Sequence, residues 1–374
     1  MNEVTTDQLL REWPPGYGGV ERVAHELATV WGGRVWSFDV QSASHQTEDA
    51  LNVTYSRFRV PCFRLLGRLH LPIPSRQLWR VLWAANTLHG HLPSPAVLLL
   101  LLLARLLRPR RKVTVHWHCF LEAGSGVVGL LTSLYQWSAL RLLPVFSGVI
   151  TTSPLLRDAL LNEGCPKSKV KVLSCCLSEE QEREAFLINP RYQPEASTFR
   201  VLFIGRLDSY KRLDWLLQAM VTINLPWRLV VIGDGPLCMS FKSLAFDLLG
   251  PHYFDNVSFL GRLSESDKYK QIGLADLLVL PSDSSNEGFG IVQLEAMAAG
   301  IPALAFRRPR SGMGWVCDSE DLNWNQTPEE LPEVLQRIAQ DRSLCLLVGQ
   351  RARERYCTLF ARTVWLHNLR SLSF

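Results

Sequence analysis

Short apolar runs alternate with helix-length amphipathic stretches through the second half of the chain. RVLFIG over Arg200–Gly205, RLVVIG over Arg228–Gly233, VSFLG over Val257–Gly261, DLLVLP over Asp276–Pro281 and PALAF over Pro302–Phe306 predict five strands. Their near-continuous apolar character is that of parallel strands covered on both faces. Between them the 3.6-residue spacing predicts helices over Leu213–Met220, Pro236–Leu249, Ser264–Gly273 and Phe289–Ala299. Such βα alternation builds a doubly wound parallel sheet, in which ligands gather just past the carboxyl ends of the strands. Several of these strands end in Gly or Pro, so binding residues are expected in the loops that follow.

The first half repeats the rhythm less cleanly. Helices are predicted over Val20–Trp31, Ser75–Asn86, Pro95–Leu107, Val127–Leu142 and Pro154–Asn162, and strands over Arg34–Phe38, Lys112–Trp117, Gly148–Thr152 and Lys169–Leu173. The 374 residues suffice for two such units at about 150 residues each. The polar stretch SEEQEREAFLINPRYQPEAS over Ser178–Ser197 reads as a linker. The expected division is 1–177, a linker over 178–197, and a second unit over 198–355. The last helical stretch, Arg351–Leu369, fits either unit, and its end from 356 to 374 could pack back on the first.

Composition excludes several classes. Hydrophobic residues make up 47% and charged residues 20%, which rules out a disordered or highly charged chain. The nine cysteines form no Cys-x-x-Cys pair and no His-Cys cluster, so reduced thiols are expected rather than disulfides or a cysteine-ligated zinc. The start, MNEVTTDQLLREWPP, lacks the apolar core of a secretory signal, and a cytoplasmic location is expected. The most apolar run, Ala96–Leu107, is interrupted by Arg105 and falls short of the roughly 20 residues a membrane span needs. It reads as a core helix or one lying at a membrane surface.

The net charge of +5 is too small to mark a nucleic-acid binder, but its distribution is uneven. From Ala50 to Leu121 there is no Asp or Glu, while Arg57, Arg59, Arg64, Arg68, Arg76, Arg80, Arg105, Arg108, Arg110, Arg111 and Lys112 all fall there. With Trp79, Trp83 and the leucines, these could dock on an anionic membrane surface. Equally, the leucines could be an ordinary core helix with the arginines as its solvated end. No nucleic-acid partner is expected, because no recognition motif accompanies the arginines.

The densest chemical signal is PSDSSNEGFGIVQLEAMAAG over Pro281–Gly300. A strand ends at Pro281, a polar loop carries Glu287, and Gly288-Phe289-Gly290 opens a helix bearing Glu295. A glycine-flanked helix start offers backbone N–H groups to a phosphate. Two carboxylates beside such a seat suit a ligand that also carries hydroxyls. By spacing alone, a solvated loop acid and an exposed helical acid explain the two glutamates as well. The second signal is Gly205-Arg206-Leu207-Asp208-Ser209-Tyr210-Lys211-Arg212, whose cations could neutralise a diphosphate. Gly233, in Gly233-Asp234-Gly235-Pro236, allows close backbone approach or makes a plain turn. Pro14-Pro15-Gly16-Tyr17-Gly18-Gly19 is a further glycine-rich turn entering a helix. In the strand Val113–His118 alternation puts His116 and His118 on one side, and His89 and His91 form a similar pair. Histidines at a strand's carboxyl end can orient a reacting sugar or serve as hydrogen-bonded core residues.

These pieces together resemble the retaining glycosyltransferases of family 4. Their fold is GT-B, two Rossmann-like doubly wound α/β domains facing across a cleft. The resemblance covers most of the chain, is strongest from Arg200 to Phe306, and rests on the pattern P-S…E-G-F-G…L-E-A-M-A-x-G-x-P with Glu287 and Glu295 as its paired glutamates. It implies that Glu295 binds the ribose of a nucleoside-diphosphate sugar. Glu287, Gly288, Phe289 and Gly290 would face the donor sugar, and Arg206 and Lys211 would hold the diphosphate. Gly233 would line the donor site, and Gly18 and Gly19 would close over the phosphates. His118 is the better match to the family's strand-end histidine. Glu287, Arg206, Lys211 and His118 are thus the implied catalytic set. The chain departs from the family at Ser174-Cys175-Cys176-Leu177-Ser178, at the polar Val4–Trp13 where an apolar first strand is usual, and in a shortened loop after Arg307.

The implied reaction passes a sugar, with retention, to a glycan, lipid-linked or other acceptor hydroxyl. Cell-envelope or exopolysaccharide assembly is the expected setting, at or near the inner face of the cytoplasmic membrane. No cofactor and no obligatory metal are expected, and no Asp-x-Asp sequence occurs. A non-catalytic nucleotide or sugar-phosphate binding module of the same fold is the alternative.

Overall fold

A computed structural model of the chain describes residues 5–13, 18–39, 53–66, 69–188, 198–324 and 327–372. Arg68, Pro14–Tyr17 of the glycine-rich turn and 189–197 of the expected linker lie outside these residues. The chain forms two compact units, one of residues 1–174 with 371–374 and one of 175–370.

The first unit contains β1 (Thr6–Leu10), β2 (Arg34–Phe38), β3 (Ser56–Val60), β4 (Cys62–Leu66), β5 (Leu69–Pro72), β6 (Thr87–Leu92), β7 (Val113–Trp117), β8 (Gly148–Thr151) and β9 (Val170–Val172). Seven of these make a parallel sheet in the order β3-β2-β1-β6-β7-β8-β9, and β4 with β5 form a separate antiparallel pair. The leucine-rich helix Pro95–Leu107 lies on one face of this sheet, burying Val97, Leu98, Leu100, Leu101 and Ala104 against Leu88, Leu92, Val113, Val115 and Trp117. It is a core helix. Gly90 permits that packing, since a Cβ there would come 2.4 Å from Leu101 Cδ1.

The polar first stretch is a strand after all, and a central one. β1 pairs with β2 and β6, and Asp7, Gln8, Leu9 and Leu10 are fully buried. Its polar side chains are tolerated because each finds a partner. Asp7 Oδ1 accepts from the Arg34 backbone N–H at 3.0 Å and from Asn86 Nδ2 at 3.1 Å, and Gln8 Oε1 lies 2.9 Å from His91 Nε2.

The second unit holds β10 (Phe199–Ile204), β11 (Trp227–Ile232), β12 (Val257–Gly261), β13 (Leu277–Leu280) and β14 (Ala303–Ala305), all parallel, in the order β12-β11-β10-β13-β14. Helices Leu213–Met220, Cys238–Leu249 and Leu331–Gln340 bury their apolar faces on the sheet's core. Much of the expected linker is helix, Glu179–Leu187, and belongs to this unit. Its polar sequence suits it. Ser178 and Gln181 form a reciprocal capping box, and Glu179, Glu180 and Glu182 sit in the first turn, where the helix dipole favours acids. Glu182 then accepts from Tyr356 Oη at 2.8 Å and from the Arg362 backbone N–H at 2.9 Å. That anchors the C-terminal helix Arg362–Ser371, whose residues through 370 group with the second unit while Ser371 groups with the first.

Replacing Asp7 by Ala would remove the acceptor of two half-buried donors, at about 1–3 kcal/mol for each group left unsatisfied. Urea unfolding of Asp7→Ala should show a loss of at least about 2 kcal/mol, and a loss under 0.5 kcal/mol would contradict this account of β1.

Candidate functional site

In the second unit the loops after β10, β11 and β13 are stitched together by main-chain bonds. Leu207 N–H donates to Asp234 O at 3.0 Å, and Leu237 N–H to Leu207 O at 3.1 Å. Gly233, at φ +134°, could carry no side chain, for a Cβ would fall 1.9 Å from Gly205 O. Its role in the structure is this close approach of the two strand ends.

Past Gly205 the chain makes a short turn, Ser209–Lys211, capped by Asp208. Arg212 follows at φ +51°, with its guanidinium 4.1 Å from the Trp215 ring centre and paired with Asp214 and Asp283. The Asp283 N–H donates to Tyr210 O at 3.1 Å, tying this turn to the loop after β13. The result is that Lys211, buried to 8% exposure, forms an ion pair with Glu287. Burial alone would lower the lysine's pKa, but the Glu287 carboxylate, together with Tyr210 and Asp208, more than offsets it and holds the ammonium above its ordinary value. Arg206 differs: its side chain is more than half exposed, 3.6 Å from Asp208.

Glu287 is held from both sides of its own loop. Its N–H donates to Ser284 O, Ser311 Oγ donates to Glu287 O at 2.6 Å, and Gly312 N–H donates to Gly288 O at 2.8 Å. Phe289 is buried edge-on against Phe360. Gly290 takes φ +73°, so the helix expected from Phe289 begins only at Val292 and runs to Ala298. Glu295 is fully buried, with Oε1 accepting from Lys268 Nζ at 2.9 Å, while Lys268 also bonds Glu265. The picture of a solvated loop acid and an exposed helical acid therefore does not hold for either glutamate. Lys268 escaped sequence reasoning, since its spacing from Glu265 marks only an ordinary i,i+3 helix pair.

In the first unit Gly18 caps the helix Gly19–Trp31 without a side chain, and both glycines are exposed. His118 follows β7, its N–H bonded to Leu92 O at 2.9 Å and its Nε2 2.9 Å from His91 Nδ1. His89, His91 and His116 are buried beside it. Burial lowers all four imidazole pKa values, to about 3 for His89 and His118, so the rings are neutral. The His89 and His91 pair is thus brought together with His116 and His118 by the unforeseen strand β6.

The basic segment is less available than its sequence suggests. Arg105, Arg108 and Arg111 donate to backbone carbonyls of Pro109, Trp83, Ala84, Val81 and Asn86, and Arg57 and Arg59 lie over the Trp13 ring. Trp79 and Trp83 are exposed as expected. The larger apolar surface is elsewhere, on the helix Gly126–Leu142. Val127, Val128, Leu130, Leu131, Leu134 and Trp137 there are each at least 55% exposed. No helix among the described residues is long and apolar enough to cross a membrane. None of the nine cysteines is in a disulfide.

Comparison with known proteins gives the same outline. The profile described as Glycosyltransferase Family 4 matches residues 17–181, and that described as Glycosyl transferases group 1 matches 188–355. O-antigen chain mannosyltransferase C of Escherichia coli is 26% identical over 78% of this chain and 76% of its own length. D-rhamnosyltransferase WbpZ of Pseudomonas aeruginosa is 30% identical over 47% of this chain and 43% of its own. The crystal structure of HepE from Anabaena, in complex with UDP, superposes with a TM-score of 0.74 at 18% identity, covering 98% of this chain and all of that one.

Breaking the Lys268–Glu295 pair from one side would leave a buried charge uncompensated, at about 3–5 kcal/mol. Lys268→Met should destabilise the chain by that amount in urea unfolding, and Lys268→Met with Glu295→Leu should recover most of it. Additive losses in the double variant would contradict the pairing.

Proposed function

This chain belongs to glycosyltransferase family 4, with the GT-B fold, and from that premise we propose that it moves a sugar with retention from a nucleoside-diphosphate sugar to an acceptor hydroxyl. The observation that carries the donor assignment is the buried Lys211 ammonium, held by Glu287 where the loops after β10 and β13 meet. An ammonium has three protons. One is committed to Glu287, leaving two for diphosphate oxygens. Arg206, exposed on the same turn, supplies a second, adjustable cation.

As the anomeric C–O bond breaks, negative charge grows on the departing diphosphate. Lys211 and Arg206 stabilise that charge from positions set before the donor arrives. No divalent metal is required for transfer in this reading. The donor sugar meets Glu287 and the backbone of Gly288, Phe289 and Gly290. The ribose takes the Glu295 carboxylate, which turns toward it from Lys268. The mannosyl- and rhamnosyltransferase relatives support a hexose donor and a glycan or lipid-linked acceptor in cell-envelope or exopolysaccharide assembly.

The first unit meets the cytoplasmic face of an anionic membrane through the helix Gly126–Leu142 rather than through the arginines, most of whose described side chains are engaged. The six exposed apolar side chains there would enter the interface, and no Asp or Glu occurs from 123 to 157 to oppose it. Flotation with vesicles containing anionic lipid at low salt should carry the wild type and lose a Leu134→Glu, Trp137→Glu variant. Absence of flotation by the wild type would remove this partner.

For the transfer itself, a panel of UDP- and GDP-hexoses ranked by thermal shift identifies the donor, and product NMR reads the anomer. Lys211→Ala should lower kcat/KM by about 10²–10³-fold. Donor binding without turnover would instead mark a binding module, and unchanged turnover in both Lys211→Ala and Glu287→Gln would overturn the site.

A further inference from the structure

The sheet of the first unit carries a second concentration of chemistry, apart from the donor-side residues of the second unit. β6 and β7 are neighbours in parallel register, with His91 opposite His116 and His89 opposite Thr114. The two-residue period of a strand puts His89, His91, Thr114, His116 and, just past the strand end, His118 on one face. Leu88, Leu92, Val113, Val115 and Trp117 fill the core on the other. One ring nitrogen from each of His89, His91 and His116 lies within 4.8 Å of the other two.

The hydrogen bonds at the edge of this group decide where the lone pairs point. His89 Nδ1 sits 2.8 Å from Thr114 Oγ1, and with its proton directed there His89 Nε2 keeps a lone pair. That nitrogen is buried with no hydrogen-bond partner. His91 Nε2 is 2.9 Å from the Gln8 carbonyl oxygen, which only accepts, so the proton is on Nε2 and His91 Nδ1 carries the lone pair. His116 is fully buried and neither of its ring nitrogens has a partner.

Unpaired buried polar groups are rare because each costs about 1–3 kcal/mol. Here two neighbouring imidazoles leave three nitrogens in that state, with His116 stacked on the rings of His91 and His118 and edge-on to His89. A histidine that ligates a metal usually donates its second nitrogen's proton to an oxygen acceptor, which fixes tautomer and ring orientation. Thr114 and Gln8 stand in that relation to His89 and His91. Burial also keeps the rings neutral, the form that coordinates.

We propose that His89 Nε2, His91 Nδ1 and one ring nitrogen of His116 bind a divalent d-block cation of the zinc type, a structural site in the first unit. Imidazole suits Zn²⁺, Co²⁺ and Ni²⁺ over the oxygen-seeking Mg²⁺ and Ca²⁺. Tetrahedral coordination with Zn–N of about 2.0–2.1 Å sets the nitrogens about 3.3 Å apart, so ring rotations that draw them together from separations of up to 4.8 Å complete the set. His118, 2.9 Å from His91 Nδ1 and at the rim of the group, would exchange its bond to His91 for the fourth position or for a water. The proposal is independent of the diphosphate site, which lies in the other unit.

The test uses the full chain, stripped with EDTA and titrated with Co²⁺ under reducing conditions. One equivalent should bind with the visible d–d bands of a four-coordinate nitrogen site, Zn²⁺ should displace it, and Zn²⁺ should raise Tm. His116→Asn, checked for folding by circular dichroism, should weaken binding by at least tenfold. Thr114→Val, which removes only the outer acceptor, should weaken it by about 10–100-fold. Substoichiometric binding, a near-ultraviolet thiolate charge-transfer band assigning the ion to cysteine, or unchanged affinity in both variants would overturn the site. If His116→Asn does not fold, unchanged affinity in Thr114→Val alone does so.

Discussion

One ion pair, Lys211 with Glu287, ties two loops of the second unit together. Lys211 follows a strand end and Glu287 follows another, and neither side chain is accommodated in the interior without the other. The supporting contacts read as consequences of holding these two loops at one spacing. Arg212 reaches from the first loop to Asp283 of the second, the Asp283 N–H returns to Tyr210 O, and Ser311 grips the Glu287 carbonyl. Gly233 and Gly290 are glycines because the backbone passes too close, or turns too far, for any other residue. A second buried pair, Lys268 with Glu295, stiffens the helix behind the loop. A catalyst that works by preorganised charge needs this rigidity, since its cations must stand where the charge will develop.

The second unit was largely legible in the sequence because its parallel strands are covered on both faces and read as unbroken apolar runs. Val257–Gly261 and Leu213–Met220 emerge with the expected bounds, and the other strands shift by a residue or two. Phe289–Ala299 lost its first turn to the positive φ of Gly290. The first unit hid two central strands for a common reason. β1 and β6 carry Asp7, Gln8, His89 and His91 on buried positions, and those polar residues break the hydrophobic pattern while bonding partners far off in the sequence, Asp7 to Asn86 and Gln8 to His91. Polar residues that pair over a sequence separation of about 80 positions leave no local signal.

Charge was the least reliable guide to surface. The arginines clustered before Val113 cap carbonyls of neighbouring turns, so their number measures structural work more than an outward field. The exposed apolar helix Gly126–Leu142 has an unremarkable composition, and its leucines look like core until the sheet is seen to leave them outside. The expected linker failed in the converse way. Its acids proved to be the first turn of a capped helix, with Glu182 binding the start of the final one.

The central claim is that Lys211, held by Glu287, is a preformed diphosphate seat. Calorimetric titration of UDP and GDP, without any sugar, into the full chain and into Lys211→Met tests it most directly. The account predicts that one of the two nucleotides binds the wild type with an affinity that falls as salt rises, and that Lys211→Met binds it at least tenfold more weakly. Equal affinity in the two proteins, with folding intact, would contradict it.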